Sequence, residues 1–240
     1  MARLKADSLT HKLIDEIADM ILDGGMSAGD RLPSMAELGE RFGVSYTVLR
    51  EALRVLEARG MVEIQHGKGT VVTLDPSGAM AISFRSIGRM HDKPHEHLME
   101  VRSILEVEIA RLAAIRRHAD DIRELEDAIA NLAKSLGDPD AFVKADTRFH
   151  YSVVAASHNP LLIKIMQSLR EVQTHQWEAT TRMREGDLEE AYAVHRLVFE
   201  SIRDRDPGGA VEAMRQLLAV ASMDLQRLMS MQAKDGGGKQ

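Results

Sequence analysis

Apolar residues return at steps of three and four over residues 10–22, where Leu13, Ile14, Ile17, Met20 and Ile21 share one side of a helix. Gly24 and Gly25 end it. The next helix is announced by its start. Ser34 is a good N-cap, and Glu37 three residues later completes a capping box, which predicts a short helix over 35–41. Residues 42–45, Phe-Gly-Val-Ser, make a tight turn in which Gly43 suits left-handed backbone. Ser45 caps a further helix running to about residue 59, with Val48, Leu49, Ala52, Leu53 and Leu56 as its apolar stripe and Gly60 as its stop. The pattern then changes. Residues 61–65 and 70–74 are short β-prone runs joined by the glycine-rich turn His66-Gly67-Lys68-Gly69. Two helices across a tight turn, followed by a hairpin, outline a winged helix-turn-helix.

Beyond it, residues 75–78 (Asp-Pro-Ser-Gly) open a less regular stretch, with a short helix predicted near 80–90. From Pro94 every strong signal is helical, with helices expected near 94–117, 120–136, 139–157, 160–184, 187–204 and 207–231. The breaks between them carry Gly137-Asp138-Pro139, Asn159-Pro160, Gly186-Asp187 and Asp206-Pro207. The expected division is a winged helix-turn-helix over 1–75, a linker over 76–93, an all-α bundle over 94–231 and a disordered tail over 232–240. The fold class is therefore mainly α, with one small β-hairpin.

Composition changes this picture in two places. With no cysteine, disulfides and thiolate chemistry are excluded, and no apolar run reaches the length of a membrane span. A cytoplasmic protein is expected. Charge argues against the obvious role for a helix-turn-helix. The net charge is −6, and residues 1–75 hold 9 lysines and arginines against 12 aspartates and glutamates. DNA contact must then come from a local basic face, not from a basic domain. In such a motif the second helix enters the major groove by its N-terminal end. Here that end offers Ser45, Tyr46, Thr47 and Arg50, with Arg54 one turn on. Arg50 suits a bidentate pair with guanine or a phosphate clamp. Arg31 precedes the helix pair, and His66, Gly67 and Lys68 form the hairpin tip. All nine are candidate contacts to double-stranded DNA.

In the C-terminal region Asp146 and His150 are four apart on one helix, His195 sits mid-helix among Val194, Leu197, Val198 and Phe199, and Arg102 lies among Leu98, Val101 and Leu105. Carboxylate with imidazole suits a divalent metal, and a buried arginine suits an anionic ligand. The blander readings stand beside these: an Asp–His pair in solvent, a core histidine with a satisfied ring, an Arg102–Glu106 pair at i, i+4. His91, His95 and His97 read as linker polar residues, and no spacing argument brings His175 to the group.

The N-terminal motifs Gly29-Asp30-Arg31-Leu32-Pro33-Ser34, Gly43-Val44-Ser45, Leu49-Arg50-Glu51-Ala52-Leu53, Gly60 and His66-Gly67-Lys68-Gly69 resemble the DNA-binding domain of the GntR superfamily. Two positions where that family usually carries DNA-touching arginines differ: Met35-Ala36 follows Pro33-Ser34, and Tyr46 follows Val44-Ser45. Residues 95–220 resemble the FCD effector domain of the FadR-type branch, on Glu100-Val101-Arg102, Leu105-Glu106, Asp146 with Phe149-His150, Asn159-Pro160-Leu161-Leu162, His195, Arg205-Asp206 and Ala213-Met214. The resemblance implies a ligand-responsive, homodimeric transcriptional regulator, a repressor, sensing a carboxylate or sugar acid held by Arg102. It also implies a zinc-like ion held by Asp146, His150 and His195. The family's fourth ligand would fall at Leu217, which has no donor atom. A metal-dependent enzyme, or an interaction protein that has lost DNA binding, are the alternatives that the missing arginines and acidic balance keep in view.

Overall fold

A computed structural model describes residues 2–90, 94–183 and 188–236. The chain divides into two compact units, Met1–Ser83 and Phe84–Gln240.

The first unit holds α1 (Ala2–Leu22), α2 (Met35–Phe42), α3 (Tyr46–Ala58), β1 (Val62–Gln65) and β2 (Gly69–Val72). Helix α1 begins eight residues earlier than the apolar stripe predicts. Those residues, Ala-Arg-Leu-Lys-Ala-Asp-Ser-Leu, contain good helix formers and no glycine or proline to stop the extension. The capping box at α2 is present: Ser34 Oγ accepts the Glu37 amide at 3.3 Å, and the Glu37 carboxylate accepts the Ser34 amide at 2.7 Å. Gly43 ends α2 at φ 63°, the left-handed cap expected of it. The apolar stripes of α1, α2 and α3 meet with Leu32, Val62 and Val72 in one small core.

The wing is more firmly tied than its sequence suggests. β1 and β2 pair antiparallel, with Val62 opposite Val72 and Gln65 opposite Gly69. Residues 29–32 run along the other edge of β2, with the Leu32 amide bonded to Thr70 O at 3.0 Å and the Val72 amide to Asp30 O at 2.8 Å. This third edge escapes a pattern search because only one bridge, Arg31 to Val71, is made. Gly60 (φ 73°) is required at the α3–β1 corner, since a Cβ there would lie 2.0 Å from the Asp75 carbonyl oxygen.

Helix α4 (Ser77–Arg89) follows. It occupies most of the stretch expected to be a linker, and starts three residues earlier than predicted. Asp75 accepts from both the amide and hydroxyl of Ser77, and the Met80 amide bonds to Pro76 O, so the Pro-Ser-Gly run begins a helix here. His91 lies outside the described residues.

In the second unit every described element is helical: α5 (Pro94–Arg116), α6 (Ala119–Lys134), α7 (Pro139–Ala156), α8 (Pro160–Met183), α9 (Glu189–Arg203) and α10 (Pro207–Gly236). Helix α10 runs five residues into the segment expected to be a tail, through Gln-Ala-Lys-Asp-Gly, of which only the last is a poor helix former. Residues 237–240 lie outside the described residues. Asp138 caps α7 and Asn159 caps α8, each followed by a proline at the first helical position. Arg205, at φ 55°, donates to the carbonyls of Ile115 and Arg117 at the end of α5, and Asp206 caps α10. These roles give a physical reason for the Arg205-Asp206 motif. Helix α5 packs on α7, α9 and α10, and α7 also packs on α6 and α8. The core includes Ile109, Leu125, Phe149, Met166, Val198, Met214 and Leu217.

Candidate functional site

Two groups of side chains stand out, one outside and one inside. In the first unit the N-terminal half of α3 turns Tyr46, Thr47, Arg50, Glu51 and Arg54 to solvent, where they line one shallow groove. Tyr46 is 64% exposed, which is a large apolar-bodied side chain left in water. Ser45 is turned inward to its helix: its Oγ accepts the Val48 amide at 3.4 Å. At the hairpin tip the Lys68 amide bonds to Gln65 O, and Gly67 and Gly69 take φ 72° and 95°, leaving His66, Gly67 and Lys68 exposed. Arg31 is exposed beside β2. Glu57, a residue with no assigned role in the sequence, accepts the Ile64 amide at 2.8 Å and so fixes the hairpin against the helix that precedes it. Ala36 is exposed at the second residue of α2 and presents no donor.

The second unit buries its polar group. Asp146, His150 and His195 bring one ligand atom each to within 4.8 Å of one another, and all three are buried. His195 Nδ1 donates to Ala191 O at 2.6 Å, and its Nε2 faces Asp146 Oδ1 at 2.8 Å. His150 Nδ1 donates to Glu106 Oε2 at 2.9 Å, which points its Nε2 at Asp146 Oδ1, 3.7 Å away. Both imidazoles are thus held by Nδ1–H on an acceptor, with Nε2 turned to one carboxylate. That is how histidines are oriented for a metal. Asp146 Oδ2 is buried and has no hydrogen-bond partner among the described residues. One carboxylate and two imidazoles are a donor set that fits a divalent ion.

Arg102 is fully buried, the largest such side chain among the described residues, and donates Nε to Glu106 Oε1 at 2.5 Å. The i, i+4 pairing is therefore real. Burial works to raise the Glu106 pKa, but Arg102, His150 and Arg170 outweigh it and hold the carboxyl well below the usual range. Asp146 follows the same logic: burial opposes its charge, and His150, His195 and Arg170 hold its pKa low. Burial, then Arg170, pushes the His150 pKa down against the pull of Asp146 and Glu106. Arg170, with buried guanidinium nitrogens, went unnoticed in the sequence; its place next to Met166 and Leu169 on the apolar side of α8 was the available signal.

Beside the polar group lies a cavity of about 50 Å³ lined by Asp146, His195, Leu217, Thr180, Thr181 and Asp224 together with apolar residues of α7, α9 and α10. Leu217 thus stands at the site, apolar, where the resemblance places a fourth ligand. Arg102 does not line this cavity. Thr180, Thr181 and Asp224 were missed because nothing in their spacing sets them apart. His95 and His97 lie on the first turns of α5, and the His175 side chain lies outside the described residues.

Comparisons with known proteins match both units. Residues 9–72 match the family of bacterial regulatory proteins, gntR family, and residues 97–220 match the FCD domain. The chain is similar to the galactonate operon transcriptional repressor of Escherichia coli K12 (26% identical, 91% of this chain and 97% of that one). It is also similar to the HTH-type transcriptional regulator LutR of Bacillus subtilis 168 (29% identical, 81% of this chain and 91% of that one). The solved structure of Streptococcus agalactiae GntR shares the fold, at a TM-score of 0.66 and 24% identity over 91% of this chain and 99% of that one. These relatives are regulators, not metal-dependent enzymes. No described helix is long and apolar enough to cross a membrane. The chain belongs to the GntR family, in the branch with an FCD domain, and is a ligand-responsive, DNA-binding transcriptional regulator.

Proposed function

We propose that this regulator is a homodimeric repressor that reads operator DNA with α3 and the hairpin tip, and senses a sugar acid in the FCD unit. The galactonate repressor among its relatives supports the ligand class. Arg50 and Arg54 on the open face of α3 would supply base and phosphate contacts, with Arg31 and Lys68 on phosphate and Tyr46 in the place of a usual family arginine. Ser45 would act mainly by capping α3, which aims that helix. Exposed Val101 and Ile104 on α5 are the kind of apolar surface a second copy would cover. As a DNA-binding regulator it would work in the cytoplasm.

Asp146, His150 and His195 would hold a divalent ion. When bound, such an ion supplies a Lewis-acidic positive charge that attracts a ligand carboxylate. The residues around it do the rest: Glu106 and the Ala191 carbonyl orient the two rings, and Arg102 and Arg170 balance the buried carboxylates. Arg102, committed to Glu106, would act on an anionic ligand through that charge balance. Thr180, Thr181 and Asp224 offer partners for hydroxyls. A cavity of about 50 Å³ is far below the ~300 Å³ at which ligand pockets begin. A sugar acid would therefore need a wider arrangement of this cavity, and a ligand that favours one arrangement over another is what allostery needs.

The observation that carries the reading is the pair of Nε2 atoms converging on Asp146, in a chain that also carries a DNA-reading motif of matching family. The test is a footprint across DNA flanking the gene, repeated with a panel of sugar acids including galactonate. A short palindromic protected site, released by one acid, is expected. No protected site in any fragment would overturn it.

A further inference from the structure

A second set of metal-ligating side chains lies on the surface of the helical unit, apart from Asp146, His150 and His195. His118 is the N-cap residue of α6, Asp121 lies in the first turn of that helix, and His158 sits between the end of α7 and the cap of α8. One ligand atom from each lies within 4.8 Å of the other two. His158 Nε2 meets Asp121 Oδ2 at 2.7 Å, and the His118 amide donates to the same oxygen at 2.6 Å. The two imidazoles lie nearly face to face, with ring centroids 4.3 Å apart and planes 32° from parallel.

We propose that His118, Asp121 and His158 form a surface site for a divalent transition ion of the zinc class. The donor set is two imidazoles and one carboxylate, which selects such ions over calcium or magnesium. Zinc bonds of ~2.0–2.2 Å put tetrahedral ligand atoms roughly 3.4 Å apart. His158 Nε2 and Asp121 Oδ2, at 2.7 Å, are closer than that and the remaining pairs lie within 4.8 Å, and the side chains of His118 and His158 are exposed, so small rotations adjust the group to an ion. Asp121 is already steered by the His118 amide, which is the outer-shell orientation that metal carboxylates receive. Both contacts fall on Oδ2, so Oδ1 can turn to an ion. His158 is held at φ 50°, a conformation uncommon outside glycine, and it is this backbone that swings its ring over α6. Three ligands in a half-exposed place leave positions open to water, so the ion would exchange freely. Once bound, it would pin the start of α6 to the α7–α8 corner.

The experiment is zinc per chain after equilibrium dialysis of the full-length protein, with thermal unfolding read with and without zinc. The variant is His118→Ser with His158→Asn. Serine keeps the N-cap, and asparagine tolerates left-handed backbone, so folding is preserved. Asp146→Asn serves as the interior control. The double variant is expected to bind one zinc fewer per chain than wild type and to lose part of the zinc-dependent rise in Tm. Asp146→Asn is expected to keep the zinc that the double variant loses. The proposal is overturned if the double variant binds as much zinc as wild type, or if Asp146→Asn abolishes all zinc binding. Neither outcome bears on DNA reading.

Discussion

The two units treat polar side chains in opposite ways. In the winged unit the proposed DNA-reading groups stand in water: Arg50, Arg54, Tyr46 and Lys68 are all exposed, and none is held by a partner carboxylate in the contacts described above. In the helical unit the working groups are buried and tied to one another, with Arg102, Glu106, Asp146, His150 and His195 each at most 4% exposed. The difference follows from what each must meet. DNA brings its own charge and displaces water and counterions on arrival. A small ligand has few atoms, so the protein must arrange charges in advance inside low dielectric. The outer site can therefore change residue without disturbing the fold, whereas the inner site is part of the fold.

The comparison breaks first, and hardest, at Arg102. Removing it leaves Glu106 short of its main partner inside the core. Arg102→Ala should destabilise the helical unit by about 3–5 kcal/mol, read by denaturant unfolding, while the winged unit's transition stays put. A change under about 1 kcal/mol would mean that the buried pair is not integral to the fold. Arg50→Ala should do the reverse. Operator affinity should fall by about 1–3 kcal/mol at matched salt, with folding stability unchanged within about 0.5 kcal/mol. If Arg50 clamps phosphate, the salt slope should drop by about 0.9 as well. Unchanged affinity would remove Arg50 from the interface.

Much of this contrast is written in the sequence, unevenly. The outer site is legible because its devices are local: Ser34 with Glu37, Gly43 and Ser45 fix two helices within a dozen residues, and exposure follows from the stripe opposite. The acidic bulk charge conceals it only until Arg50 and Arg54 are placed one turn apart on the exposed side of α3. The inner site is legible only in part. Asp146 and His150 share a helix turn, but His195 arrives from 45 residues further on, and Arg170 and Asp224 come from two other helices. Such convergence is a tertiary fact with no local period. Element ends fared least well. Helices α1 and α10 run past their expected limits, because fraying ends have propensity but no cap to mark them, whereas α4 starts early because Asp75 and Pro76 begin a helix where a linker is expected.

Leu217→His sharpens the inner half. It places an imidazole on the cavity wall shared with Asp146 and His195. Zinc affinity measured by competition with a chelator should rise by about tenfold or more, ~1.4 kcal/mol. No gain would mean that the three ligands do not gather an ion with an open position facing α10. A smaller effect belongs to the outer half. Ser34→Ala should cost the winged unit about 1 kcal/mol in thermal or denaturant unfolding. Its partner Glu37 adds a pH signature. The Ser34 hydroxyl and amide hold the Glu37 pKa below its ordinary value, against slight desolvation. A lowered folded pKa stabilises above the unfolded value and is lost as pH falls through the folded one. The Tm difference between wild type and Glu37→Gln should thus be present at neutral pH and vanish in acid. A difference that persists in acid would contradict the box.

Control by a ligand, as proposed, requires the buried group to govern what the exposed one does. It is tested most directly by the operator affinity of the full chain, with and without the releasing acid, for wild type and Asp146→Asn. The account predicts that the acid weakens wild-type binding by 1–3 kcal/mol, roughly 5–150-fold. It predicts that Asp146→Asn binds the same DNA as wild type without acid and no longer responds to it. An undiminished response in Asp146→Asn would contradict the claim.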